Sequence, residues 1–379
     1  MIIKNCNIIY LNKIEKGSVL IKDGKIDKIN PEVINNDQEI INAEDLFLSP
    51  GFIDVHIHGA GGYDTMDGTE EAINNIAKTI VKHGTTSFVP TTMTMSIEDI
   101  HKAVTAVKAV KEKGSDGAIV LGAHLEGPFI NPKAIGAQNP KYLIKPCAEN
   151  YDKMVAGCED SIVSITVAPE VPGCHELIEY LSSKGITCRM GHTKATYEEA
   201  IEGIKCGISF GTHLFNAMTG FTHREPGTVG AIFDSNITTE TIADGVHISY
   251  PALRITYRQK TTDNVLLISD AMMACCMDDG DYSLGGQKVI LKNNAARLEN
   301  GALAGSVLTL DKAVKNVYEN CNIPLNEAVK MASYNGAKHC GIDDHKGLIK
   351  EGYDADLVLF DKDINVKKVF VKGMLKFSK

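Results

Sequence analysis

Short apolar runs and longer amphipathic stretches alternate along most of the chain, while its two ends follow another rhythm. In the first fifty residues apolar and polar positions change places at every step, as in "VLIKDGKIDKI" (19–29), where Asp23-Gly24 separates two such runs. A period of two puts alternate side chains on one face of a strand, and Asp-Gly between two such runs predicts a tight hairpin. The final stretch, "GLIKEGYDADLVLFDKDINVKKVFVKGML" (347–375), returns to short Val/Ile/Leu/Phe strands between glycine turns.

Between the ends lie eight apolar runs: "FIDVHIH" (52–58), "SFVPTT" (87–92), "AIVLGAHLE" (118–126), "VSITVAPE" (163–170), "ITCRMGH" (186–192), "GISFGTH" (207–213), "TETIADGVH" (239–247) and "NVLLISDA" (264–271). The segments separating them carry helix signals. Ser96 with Asp99 and Thr196 with Glu199 read as N-cap pairs, and Gly84 and Gly114 follow helical stretches as stops. Strands alternating with helices predict parallel pairing through crossovers, hence a (β/α)8 barrel of the TIM type over residues 52–344. Residues 272–305 form a glycine-rich insertion after the eighth strand. The two β-like ends, 1–51 and 345–379, are too short to stand alone, so they are expected to pair into one small β-sandwich domain.

Composition narrows the function. The chain has 379 residues, 44% of them hydrophobic and 23% charged, which suits a globular protein with a sizeable core. A formal charge of −9 argues against nucleic-acid binding, which needs a broad basic surface. No apolar run reaches the length of a membrane span, and the N-terminus lacks the pattern of a signal peptide. The ten cysteines include no CxxC pair, and the adjacent Cys275 and Cys276 suit neither an ordinary disulfide nor a zinc finger. They read as reduced core thiols of a cytoplasmic protein.

Polar residues gather at the C-terminal ends of the predicted strands, the face on which barrels of this type build active sites. His56 and His58 end the first strand, Glu126 the third, His192 the fifth, His213 the sixth, His247 the seventh and Asp270 the eighth. Glu126, His192 and His213 make the two-imidazole, one-carboxylate set of an open metal site, in which the metal acidifies a bound water. Asp270 is then placed to take that water's proton. Taken singly, each admits a plainer role: a hydrogen-bonded structural histidine, a capping glutamate, an N-cap aspartate. Polar residues on six strand ends at one mouth favour the metal site.

The motifs "PGFIDVHIHG" (50–59), "HLEGPFINP" (124–132), "GHTKA" (191–195), "THLFNAM" (212–218), "REPGTVGA" (224–231), "ADGVH" (243–247), "SDAM" (269–272) and "LAGS" (303–306) span nearly the whole chain. By them the chain resembles the amidohydrolase superfamily, and within it the N-acetylglucosamine-6-phosphate deacetylase family. The resemblance implies hydrolysis of an N-acetyl amide on an amino-sugar phosphate. It implies a divalent metal, Zn²⁺ or Fe²⁺ first, Co²⁺ or Mn²⁺ also, with one or two ions per subunit. Glu126, His192 and His213 match the ligands and Asp270 the acid/base. Asn216 and Ala217 match an amide and backbone contact to the substrate, Arg224 and His247 match groups that hold the sugar phosphate, and Leu303, Ala304, Gly305 and Ser306 match a stretch closing over it. Homodimers are expected, with substrate contacts near the subunit interface. At "GAQ" (136–138) the chain departs from relatives with a histidine there, so Ala137 and Gln138 join the expected substrate contacts with the role of Gln138 open. His56 and His58 point to one face and read either as a second metal position bridged by Glu126 or as hydrogen-bonding support for the first. Two rivals remain: another amidohydrolase acting on a different N-acyl or cyclic amide, and an inactive scaffold. The first commonly carries a carbamate-forming lysine after the fourth strand, where this chain has "VAPE".

Overall fold

The computed structural model describes residues 1–32 and 39–379. Strands Phe52–Ile57, Thr85–Thr92, Ala123–Glu126, Ile162–Val167, Thr187–Met190, Ile208–Gly211, Thr238–Ile242 and Val265–Ile268 stand side by side in chain order, all parallel. The ring closes where Asp270 N donates to His56 O (2.9 Å) and His58 N donates to Ala271 O (2.8 Å), so first and eighth strands meet at their C-terminal ends. The expected (β/α)8 barrel is therefore present. The run expected at 118–126 is split into Ile119–Val120 and Ala123–Glu126. Gly122 makes the break with φ 144°, and a Cβ there would meet the Ser161 carbonyl oxygen at 2.6 Å.

Local chemistry sets the helices around this ring. In Glu70–Ile80, Ala72, Ile73, Ile76, Ala77 and Ile80 are buried at the spacing of one helical face. The Ser96 side chain accepts from Asp99 N at 3.1 Å, and Thr196 and Glu199 exchange side-chain bonds to each other's backbone N–H (2.8 and 3.2 Å). Gly84 and Gly114 close their segments with φ of 84° and 86°.

The termini meet as expected. Strand Leu357–Phe360 pairs antiparallel with Phe47–Pro50 and so joins both ends of the chain into one eight-stranded sheet. The hairpin between Ile14–Lys22 and Lys25–Ile29 turns on Asp23 (φ 49°) and Gly24 (φ 77°), two successive left-handed residues as a tight hairpin requires. One side of this sheet has its own core, which includes Ile3, Ile8, Val19, Leu48, Leu357 and Phe370. Val358, Phe360, Val369 and Val371 belong instead to the barrel core. The insertion forms a three-stranded antiparallel meander, Gly280–Leu284, Gln287–Lys292 and Ala295–Leu298. Its Leu284, Val289 and Leu291 pack with Met93, Met272 and Ala304, which settles it over the C-terminal mouth of the barrel.

Candidate active site and metal centre

Every strand-end residue singled out in the sequence faces that mouth except His56, which lies fully buried directly beneath it. The backbone bends sharply to present them. His192 (φ 45°), His213 (φ 29°) and Asp270 (φ 49°) adopt left-handed conformations that cost side-chain-bearing residues of order 1–3 kcal/mol each. Asp270 is held there from both sides, its N–H donating to His56 O and its own carbonyl accepting from Ser306 N at 2.7 Å.

Glu126 is the hub. Its Oε1 lies 2.9 Å from His213 Nε2, 3.3 Å from His192 Nε2 and 3.5 Å from His56 Nε2, and its Oε2 lies 3.2 Å from His58 Nε2. The far nitrogens fix the tautomers. His192 Nδ1 donates to Ala134 O (2.9 Å) and His58 Nδ1 to Thr91 O (3.2 Å), because a carbonyl can only accept. With each Nδ1 proton committed to a carbonyl, Nε2 is the atom each ring turns toward Glu126, the orientation seen in metal-ligating histidines. His192 Nε2 and His213 Nε2 lie 3.2 Å apart, close enough to share one cation with Glu126 Oε1. Among the described residues the converging ligand atoms form two overlapping sets, Glu126–His192–His213 and His56–His58–Glu126. In the second set His56 Nε2 is buried without a hydrogen-bond partner, between Glu126 Oε1 and Asp270 Oδ1 at 3.5 Å each. A buried set of imidazoles sharing one carboxylate fits a divalent cation in the first position, and the orphaned nitrogen fits one in the second.

Electrostatics follow from this crowding. Burial alone would lift the Asp270 carboxyl, but His56 and His58 (Nε2 3.3 Å from Asp270 Oδ1) outweigh it and hold Asp270 below the usual carboxylate range. Asp270 stands ionised, as a base must. Glu126 is likewise held well below that range by the surrounding imidazoles, against the effect of burial.

Beneath the mouth lies a network that reading strand ends alone missed. Arg189, fully buried, pairs with Glu240 and donates to His339 Nε2 (2.6 Å). Glu240 Oε2 in turn accepts from His56 Nδ1 (3.1 Å) and from the backbone N–H of His213 (3.2 Å), so one buried carboxylate orients residues of both ligand sets. The signal was present: charged side chains in the middle of the apolar strands "TCRM" and "TTETI" need partners inside the barrel.

Above the ligands is a pocket of about 450 Å³, ample for a small polar ligand. Ala137, Gln138, Asn216, Ala217, His247, Leu303 and Gly305 are among the residues that line it. Gln138 turns inward: its Oε1 accepts from Thr94 N (2.7 Å) and its amide donates to Glu126 Oε2 (2.5 Å), so it orients the hub carboxylate. His247 Nδ1 is tied to Asp244 Oδ2 at 2.7 Å. The Asn216 amide is spent on the carbonyls of His213 and Leu214, shaping the turn. Ala304 and Ser306 are buried behind the wall, where Ser306 Oγ donates to the Ser269 carbonyl (2.5 Å). Arg224 does not line the pocket but lies on an exposed stretch, while Lys133 and Lys194, unremarked in the sequence, do line it. Six of the ten cysteines are buried, and Cys276 is exposed. No helix of the described residues is long and apolar enough to cross a membrane.

Residues 47–376 match the amidohydrolase family. The N-acetylglucosamine-6-phosphate deacetylase of Lysinibacillus sphaericus is 39% identical over 99% of this chain and 97% of its own length. The crystal structure of the N-acetylglucosamine-6-phosphate deacetylase from Pasteurella multocida superimposes with a TM-score of 0.95 at 31% identity, covering 100% of this chain and 99% of that one. A mutant Mycobacterium smegmatis N-acetyl-D-glucosamine-6-phosphate deacetylase, solved with N-acetyl-D-glucosamine-6-phosphate, gives 0.94 at 28% identity, with 100% and 99% covered.

Proposed function

The chain belongs to the amidohydrolase family, and we propose that it hydrolyses the N-acetyl amide of N-acetyl-D-glucosamine 6-phosphate to D-glucosamine 6-phosphate and acetate. The observation that carries this is the meeting of Glu126, His192, His213 and Asp270 at the floor of a pocket sized for a sugar phosphate, in a chain alike end to end to deacetylases of that substrate. Glu126, His192 and His213 would hold a divalent ion, of which Zn²⁺ and Fe²⁺ suit the donors best and Co²⁺ and Mn²⁺ are acceptable. Such an ion supplies Lewis acidity that activates water and polarises the amide carbonyl. The remaining steps belong to the protein. Asp270, ionised and at the pocket floor, takes the proton of the attacking water and then hands it to the departing amine. Gln138 and Glu240 keep the acceptors aimed while charge moves. His247, Lys133 and Lys194 give the pocket wall the donors a phosphate needs, and the Leu303–Gly305 stretch covers the sugar.

His56 and His58 form a second cation position sharing Glu126, a reading supported by the orphaned Nε2 of His56. The functional unit is a homodimer: Phe221 (61% exposed), on the exposed stretch that carries Arg224, and Ile255 (56% exposed), on the helix Tyr250–Lys260, line one apolar surface groove. Arg224, exposed on that stretch, is the donor a dimer partner would offer a phosphate. The separate apolar core of the terminal sheet supports a division into a β unit of 1–51 and 345–379 and a barrel of 52–344. A cytoplasmic setting fits the free cysteines. Two rivals weaken: Val167 is followed by Ala168, Pro169 and Glu170, with no carbamate-forming lysine, and all expected ligands of an active site are present.

The test is an amine-release assay on N-acetylglucosamine with and without the 6-phosphate, with metal analysis of the same preparation. We expect bound metal and at least a hundredfold higher kcat/KM for the phosphorylated sugar. Equal rates would remove phosphate recognition, and a metal-free, inactive protein would remove the reading altogether.

A further inference from the structure

One side-chain cluster outside the pocket has chemistry that deacetylation does not use. Cys276 lies on the loop between Asp270 and the meander and is the exposed member of the ten cysteines. Its Sγ is 3.3 Å from His83 Nε2, and His83 Nδ1 is 3.1 Å from Asp311 Oδ2. The carboxylate takes the proton-bearing nitrogen, so Nε2 is the atom aimed at sulfur, in the thiol–imidazole–carboxylate order of an activated nucleophile. Three distant segments assemble it. His83 closes the turn after helix Glu70–Ile80, and Asp311 sits in the first turn of helix Leu310–Cys321, where its Oδ1 accepts from Lys312 N at 2.8 Å. Cys276 adopts φ 66°, a left-handed conformation uncommon for a side-chain-bearing residue. Beside it, Cys275 is buried with its sulfur 3.8 Å from that of Cys276.

The charge balance agrees with the geometry. The Cys275 thiol, then His83 and Lys312, outweigh burial and draw the Cys276 thiol below its ordinary range. Burial pulls His83 down, but Asp311 and Cys276 more than restore it, so the resting pair is thiolate and imidazolium. Cysteine reactivity tracks this state.

We propose that Cys276, held by His83 and Asp311, is a nucleophilic site for small hydroperoxides, with Cys275 as the thiol that resolves the product. The thiolate attacks the terminal oxygen, forming an S–O bond as the O–O bond breaks. The released alkoxide or hydroxide takes the proton of the His83 imidazolium. Sulfur is oxidised by two electrons to the sulfenic acid, and the peroxide is reduced to an alcohol or water. The Cys275 sulfur then displaces the S–OH oxygen, which leaves as water with the Cys275 proton. Neighbouring Cα atoms lie about 3.8 Å apart, closer than disulfides prefer, so the bridge is strained and easily reduced again by thiols.

The metal-loaded enzyme is alkylated with iodoacetamide at pH 6.5 and each cysteine followed by peptide mass spectrometry. Cys276 is expected to react at least tenfold faster than the partly exposed Cys147, Cys206 and Cys340. His83→Asn and Asp311→Asn should each slow it at least tenfold while deacetylation is unchanged. With one equivalent of hydrogen peroxide, the peptide holding both thiols should lose two hydrogens, and Cys275→Ser should leave a sulfenic acid trapped by dimedone. Reaction at Cys276 no faster than at Cys147, or unaffected by His83→Asn, overturns the site. A wild-type product that stays sulfenic removes Cys275 from it.

Discussion

Replacing Glu240 by Gln tests whether the buried network under the mouth holds the metal ligands in place. The change keeps the shape of the side chain and removes one charge beside the fully buried Arg189. Breaking a buried pair from one side costs about 3–5 kcal/mol, because the partner charge stays desolvated. Unfolding entropy of about 2.1 cal/mol/K per residue gives this chain about 0.8 kcal/mol per degree, so the melting temperature should fall by about 4–6 °C. The chemical effect is more specific. If the amide oxygen turns to Arg189, its NH₂ faces His56 Nδ1 and the His213 N–H, both donors. His56 must then move its proton to Nε2, the atom aimed at Glu126 and Asp270, where it can no longer ligate. Loss of such an orienting partner lowers metal affinity about 10–100-fold. Calorimetric melting, metal content after dialysis against graded chelator, and turnover read these effects separately. Adding Arg189→Met to Glu240→Gln removes the stranded charge, so stability should recover while metal retention does not. A Glu240→Gln enzyme with unchanged melting and metal affinity would refute the orienting role, and recovery of both in the double variant would reduce it to packing.

Asp270→Asn should keep metal and substrate binding but lose about 10²–10⁴-fold in kcat, the usual worth of a general base, and near-normal turnover would sink its assignment. His247→Ala should raise KM for the phosphorylated sugar several-fold and leave the slow reaction of the unphosphorylated sugar unchanged; equal effects on both would detach His247 from phosphate. Lys260, whose Nζ donates to the carbonyls of Ile232 (2.8 Å) and Ser235 (2.6 Å), has its pKa pushed by burial from 10.5 to about 8. Between those values the unfolded chain binds more protons than the folded one, so this group's contribution to stability rises with pH. The melting temperature of the wild type relative to Lys260→Met should therefore climb from pH 8 to pH 10, and a flat or falling difference would contradict the burial effect.

Periodicity along the chain was enough to place the barrel, its eight strands and the joined termini. An alternating or helical pattern states which face each residue turns to the core, and parallel crossovers leave few ways to close the ring. The caps at Ser96 and Thr196 and the Asp23-Gly24 hairpin were legible for the same reason, since their chemistry acts within four residues. So was the convergence of the polar strand-end residues, because a barrel gathers strand ends at one mouth. Distances between strands belong to the tertiary structure alone. Sheet register brings Glu240 under His56, 184 positions away, and decides which nitrogen of each histidine meets Glu126. It also turns Gln138 onto the hub carboxylate, puts Lys194 rather than Arg224 in the pocket wall, and sets Cys276 against His83, 193 positions earlier. Sequence patterns record the direction a side chain takes from its own backbone; which partner it meets there is decided by long-range packing, where small shifts of register move a donor out of hydrogen-bond range.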